Sequence, residues 1–148
     1  MQKENLDPNF VGEGMYRENI LDHYKHPHNH GEIKGAEIKF TENNPLCGDV
    51  ITVNLRLNDH KVEDIKFRGS GCAISQSAMS MLSDEIKGKS LEEIKNIKRD
   101  DIVNMLGIEI GIVRTKCAML GLVAVKEGIK EFEISTLKNS NAENNNKK

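Results

Sequence analysis

This 148-residue chain has no tryptophan, three prolines, three cysteines and only 4% aromatic residues. With so few aromatics it lacks a platform on which successive bases could stack. A net charge of −2 offers no attraction to phosphate backbones or anionic lipid. Nucleic acid and membranes are therefore excluded as expected partners. No apolar run approaches the roughly 20 residues that span a bilayer. The N-terminal Met1-Gln2-Lys3-Glu4-Asn5-Leu6-Asp7-Pro8 lacks the apolar stretch of a secretory signal, so a cytoplasmic location is expected. Three thiols cannot all pair within one chain, and without an export signal cysteines more often bind metal or react than form bridges.

What is present suits one soluble domain. Hydrophobic residues make up 37% and charged residues 30%, and a chain of this size buries roughly 70% of its unfolded surface on folding. Residues 1–14 are polar and expected to be loosely ordered. From Met15 the positions Tyr16, Ile20, Leu21 and Tyr24 recur at helical spacing until Pro27. Ile38 and Phe40 alternate with polar neighbours, as do Ile51, Val53, Leu55 and Leu57, which predicts strands. Asn58-Asp59-His60 supplies a turn, and Val62 to Phe67 a partner strand. After Gly71 the period becomes helical, with Ile74, Ala78, Met81 and Leu82 on one side and a stop at Gly88. Ser90-Leu91-Glu92-Glu93 is a capping-box pattern, and Asp100 or Asp101 starts a short helix through Leu106. Gly107 to Gly111 reads as a connection, and a last helix is expected from about Thr115 to Lys130. The Asn-, Lys- and Ser-rich stretch 138–148 reads as a disordered tail. One domain over 15–137 with strands first and helices after predicts an α+β fold, a small antiparallel sheet packed against several helices.

The chemistry should lie with Cys47, Cys72 and Cys117. Cys count alone favours three buried, inert side chains; the local contexts argue otherwise. Cys72 follows Gly69-Ser70-Gly71 at a predicted helix start, where free N–H groups and the helix dipole favour a thiolate. Cys117 falls in the expected first turn of the last helix, with Arg114 and Lys116 close in sequence, and the same argument applies to it. Cys47 sits in a loop beside Gly48, and Asp49 two residues on can share its face if the segment is extended. Three thiols and a carboxylate are a ligand set that zinc or an iron–sulfur cluster accepts. No CxxC pair is present, so only folding could gather them.

Asn44-Pro45-Leu46-Cys47-Gly48-Asp49, Phe67-Arg68-Gly69-Ser70-Gly71-Cys72-Ala73-Ile74-Ser75 and Lys116-Cys117-Ala118-Met119-Leu120 together resemble the IscU/SufU/NifU-N family of iron–sulfur assembly proteins. The run from Tyr16 to Asn29 is similar to that family's N-terminal helix and following turn, and Lys87 to Glu93 to its usual continuation. The resemblance covers about residues 15–131 and implies a SufE/NifU-like fold. It further implies a non-enzymatic scaffold on which a [2Fe-2S] cluster is built from iron and sulfur, then passed to apo-proteins. A pyridoxal-phosphate-dependent cysteine desulfurase would be the sulfur source. Cys47, Cys72 and Cys117 would be the thiolate ligands and Asp49 the harder, more exchangeable one. Zinc is permitted in the same site.

Two departures bear on which branch applies. The IscU branch has histidine before the last cysteine, where this chain has Lys116, and Glu109-Ile110-Gly111-Ile112-Val113 replaces its proline-containing chaperone-recognition segment. Lys116-Cys117-Ala118 and the Gly-Cys-x-Ile-Ser run resemble SufU, yet the stretch from Cys72 to Cys117 has no room for the SufU insertion. The rival expectation is thus a zinc-dependent sulfurtransferase, with Cys47 leaving zinc to accept a persulfide. Lys116 is expected to act through its charge, holding Cys117 as thiolate, while Arg114 reads as an ordinary exposed cation. His23, His26, His28 and His30 read as solvent-exposed rather than metal-binding. Met79, Met81, Met105 and Met119 read as core filler, and the Lys-Glu mixture over 87–101 as a solvated helix face.

Overall fold

The computed structural model describes residues 8–146, with side chains described over 17–139. The order is α1 (Pro8–Lys25), β1 (Ile38–Asn44), β2 (Asp49–Asn58), β3 (Lys61–Ser70), α2 (Ala73–Ile86), α3 (Leu91–Lys95), α4 (Arg99–Leu106) and α5 (Ile112–Asn146). The strands form one antiparallel sheet in the order β1-β2-β3. This is the α+β fold that the pattern predicts.

The alternation along β2 buries Ile51, Val53 and Leu55 on the face covered by α2 and α5. A register shift opposite Arg56 and Leu57 puts β3 out of strict alternation, so Val62 and Ile65 are both buried although three residues apart. Asp59 and His60 turn the hairpin with φ of 53° and 63°, the paired left-handed geometry that matches strand twist. Ser90 caps α3 through the reciprocal bonds with Glu93 expected of its motif. Lys98 N–H donates to Asp101 Oδ2 at 2.8 Å at the start of α4, and Gly107 closes that helix with φ 75°.

α2 is the hub. Ile74, Ala78, Met79 and Leu82 join the core, while Ser75, Ser77, Ser80 and Ser83 are also fully buried. Three of these serines meet the first helix or the chain after it, Ser83 Oγ by accepting an N–H of the Asn29 side chain at 2.8 Å. Ser77 Oγ donates to Ile20 O at 2.6 Å, and Ser80 Oγ meets His23 Nδ1 at 2.7 Å and accepts the His28 N–H at 2.8 Å. The expectation that all four histidines face solvent is thus corrected for His23, which is buried in this polar seam. Its neighbours explain why: a helix docked on serines needs acceptors and donors, not hydrocarbon.

Helix boundaries differ from the pattern at both ends. α1 begins at Pro8, a residue suited to the first helical turn, rather than at Met15. α5 begins at Ile112 instead of Thr115 and continues to Asn146, well past Lys130. No Gly or Pro follows Gly128, and Phe132 still packs on the core, so nothing stops the helix there. The expected loose segment 1–14 and tail 138–148 are set against this helical backbone; residues 1–7 and 147–148 lie outside the described range.

α5 passes close to β1 at Gly128, where an added Cβ would sit 2.8 Å from Ile38 Cγ2 and 3.1 Å from Phe40 Cβ. Alanine there would gain about 1 kcal/mol of helix propensity. Overpacking against a buried strand should outweigh it. We expect Gly128→Ala to lower stability by about 1–2 kcal/mol net, read from the urea midpoint. A stabilised variant would show that the strand yields.

Candidate metal centre

Three elements deliver the cysteines to one end of the sheet. The β1–β2 connection carries Cys47, and Asp49 is the first residue of β2. Cys72 is the N-cap residue of α2, with extended φ −72° and ψ 164°. Cys117 sits on α5. One atom from each of Cys47, Asp49 and Cys117 lies within 4.8 Å of the others. Cys117 Sγ is 3.4 Å from Cys47 Sγ. Cys72 lies outside that tight group but against it, its Sγ 3.6 Å from Asp49 Oδ2. All four line an open cleft of about 360 Å³ with Gly48, Gly71, Val113 and Arg114.

Local backbone chemistry explains the placement. Asn44 O accepts the N–H groups of Cys47 and Gly48, and Gly48 takes φ 74°, turning the chain so that Asp49 re-enters the sheet opposite Asn44. Asp49 is buried, and its Oδ1 accepts the Cys72 N–H at 3.2 Å, an orphan donor ahead of α2. Gly71 makes this possible. It holds φ 149°, and a Cβ there would collide with the Asp49 carboxylate.

The three thiols differ in exposure. Cys47 is exposed, Cys72 half-buried and Cys117 buried. Burial pushes the Cys117 thiol up to about 12, helped by its contact with Cys47 and by the negative charge of Cys72 and Asp49. This corrects the expectation of a thiolate favoured by a helix start. Because α5 begins at Ile112, Cys117 lies beyond the first turn and has no free N–H groups to draw on.

The charged neighbours also change places. Lys116 lines a different groove, with Arg99, Asp100 and Val103, whereas Arg114 lines the cysteine cleft. A helix turns about 100° per residue, so the position three before Cys117 shares its face and the adjacent one does not. Arg114, and not Lys116, is therefore the cation that lines the cysteine cleft. Helical spacing from Cys117 was the available signal. Sequence reasoning also passed over Asn44, whose Nδ2 points at Cys117 Sγ.

A sheet and two helices that bring three thiols and a carboxylate to one open cleft define a domain class recognisable beyond this chain. The chain belongs to the NifU-like N terminal domain family, whose model matches residues 15–139. It is 36% identical over 120 residues to the iron-sulfur cluster assembly scaffold protein IscU 1 of Archaeoglobus fulgidus, covering 80% of this chain and 76% of that protein. It is equally 36% identical to the zinc-dependent sulfurtransferase SufU of Bacillus subtilis, over 136 residues covering 80% of this chain and 92% of that protein. A crystal structure from thermophilic Fervidobacterium islandicum, described as a candidate iron-sulfur cluster assembly scaffold protein for the SUF system, superposes with a TM-score of 0.66. It is 28% identical and the match covers 75% of this chain and 93% of that one.

Proposed function

We propose that this protein is a scaffold on which a [2Fe-2S] cluster is assembled from iron and desulfurase-derived sulfur and then transferred to apo-proteins. The supporting observation is the cleft itself: three thiols of graded exposure around one buried carboxylate, open to solvent, with membership of a family that includes named scaffolds. Cys47, Cys72 and Cys117 hold the cluster through sulfur, and Asp49 holds it through oxygen. Thiolates retain soft iron strongly, while a carboxylate exchanges more readily, so one oxygen ligand eases release of a cargo. Openness serves the same end, since donor and recipient must both reach the metal. Arg114 at the rim draws in anionic sulfur species. The donor is a pyridoxal-phosphate-dependent cysteine desulfurase and the setting a reducing cytoplasm. Among the described residues no helix is long and apolar enough to cross a membrane.

Anaerobic reconstitution with iron and desulfurase-generated sulfide tests this. A visible cluster chromophore should form and should be lost when any one of Cys47, Cys72 or Cys117 is replaced by Ser. Asp49→Ala should hold the cluster longer against transfer to an apo-protein. Faster release from Asp49→Ala would refute the exchangeable-ligand account.

A second reading has its own support in the equal identity to a zinc-dependent sulfurtransferase and in Lys116 before the last cysteine. There Asp49 and the cysteines would hold zinc, and Cys47, the exposed thiol, would leave it. Its thiolate would attack the terminal sulfur of the donor persulfide, forming a new S–S bond as the donor's cysteine departs as thiolate. The match to that relative stretches over 136 positions on the same share of this chain that the archaeal match fills in 120, so the relative carries residues this chain lacks. Tightly held zinc that stimulates desulfurase turnover, with no cluster on reconstitution, would select this reading.

A further inference from the structure

Asn44 is the last residue of β1, half-buried, and its side chain has two partners on different elements. Its Oδ1 accepts the Leu46 N–H at 3.1 Å, and its Nδ2 faces Cys117 Sγ at 3.9 Å. The two ends of an amide are told apart by their partners. Leu46 N–H can only donate, so it fixes the oxygen end and leaves the –NH₂ end towards the sulfur. Asn44 O meanwhile accepts the N–H groups of Cys47 and Gly48. One residue thus shapes the turn that carries Cys47 and reaches across to the sulfur on α5.

We infer that Asn44 is a positioning residue for the metal centre: it donates an N–H···S hydrogen bond to Cys117 and ties that sulfur to the Cys47 turn. The inference rests on the reading of Cys117 as a ligand. A buried thiolate in an otherwise anionic group of side chains needs a donor to offset its charge, and Asn44 Nδ2 supplies one without adding a cation. A donor to a ligating sulfur withdraws electron density from it, so it tunes the metal as well as orienting the ligand. Cys47 and Cys117 are then unequal thiolates. Cys117 is held and electronically softened; Cys47, exposed at the rim, is the freer one.

Cobalt(II) binding to the full chain tests this, because thiolate-to-cobalt charge transfer in the near-ultraviolet reports directly on sulfur. Asn44→Asp keeps the oxygen that caps Leu46 N–H and removes the N–H donor, so it separates turn-shaping from sulfur contact. Both Asn44→Asp and Asn44→Ala should move the charge-transfer band to longer wavelength with its intensity retained. Asn44→Ala should also weaken metal binding by about 10–100-fold. Reduction potentials of clusters reconstituted in both variants should shift negative. If Asn44→Asp gives the wild-type band and potential and only Asn44→Ala differs, Asn44 merely shapes the turn and the inference is wrong. Cys117→Ser is the control that separates the two failures. If it leaves the wild-type band unaltered, Cys117 is not a ligand, and both the site assignment and this inference fall.

Discussion

Zinc affinity of the metal-free protein is expected to rise about tenfold per pH unit between about pH 6 and pH 9 from Cys117 alone. The reason is the proton that metal must expel. The buried thiol stays protonated up to about 12, so throughout that range each metal bound through Cys117 releases one full proton. Competition with a chelator, corrected for the chelator's own protonation, reads the slope. Cys117→Ser should lower it by one proton, whereas an unchanged slope in that variant would show that Cys117 does not give up its proton to metal. The same group sets the alkaline stability of the metal-free protein. Its folded value lies above the ordinary 9.0, so above pH 9 the unfolded chain loses a proton that the folded chain keeps. Stability is full below pH 9 and falls as pH rises towards 12.

The second large effect concerns acid. His23 is buried between α1 and α2, and burial holds its basicity below the ordinary 6.5, with the nearby His28 adding to the depression and Asp84 and Asp22 opposing it. Its ring lies 4.3 Å from that of His28, which in turn meets Asp84 Oδ2 through Nδ1 at 2.6 Å. The neutral ring can accept the Ser80 hydroxyl proton; the protonated ring cannot, because its Nδ1 then carries a hydrogen. A depressed histidine favours the folded state fully above 6.5. Below it the unfolded chain takes up a proton that the folded chain refuses, so stability falls as the medium becomes more acid. Between pH 7 and pH 5 the urea midpoint should drop, and amide exchange should accelerate first along α1. His23→Asn, which can place an acceptor near the Nδ1 position, should be less stable at neutral pH but show a flatter acid limb. An acid limb as steep as that of the wild-type chain would assign the effect to another group.

These effects arise on α5 and α1, the two helices that pack on α2, and neither was foreseeable. The pattern Ile74, Ala78, Met81, Leu82 marks the face that meets the core because hydrocarbon repeats at helical spacing. The serines between those positions look like a solvent face in sequence. They are buried because α1 returns to cover them, and a serine gives no local sign of whether its partner will be water or another helix. His23 shares that fate.

The site divides in the same way. Cys47 with Gly48 and Asp49, and Cys72 behind two glycines, are legible because a turn, a helix start and their donors are local events fixed by neighbouring residues. Cys117 is not. Its burial, its proton and the choice of Arg114 over Lys116 as the cation in the cleft follow from where α5 begins and which way it faces once docked. Starting the helix at Ile112 brings Arg114 into it, about one turn before Cys117 and on the same face.

The sequence by itself therefore determined the α+β architecture, the order of its strands and helices, and the identity of the four candidate ligands, since periodicity, turn residues and chemical type are carried residue by residue. Only the tertiary structure decided which thiol is buried, which cation lines the cleft and that Asn44 faces a sulfur 73 positions away. Those are properties of distances between segments, and such distances exist only after the helices have closed on the sheet.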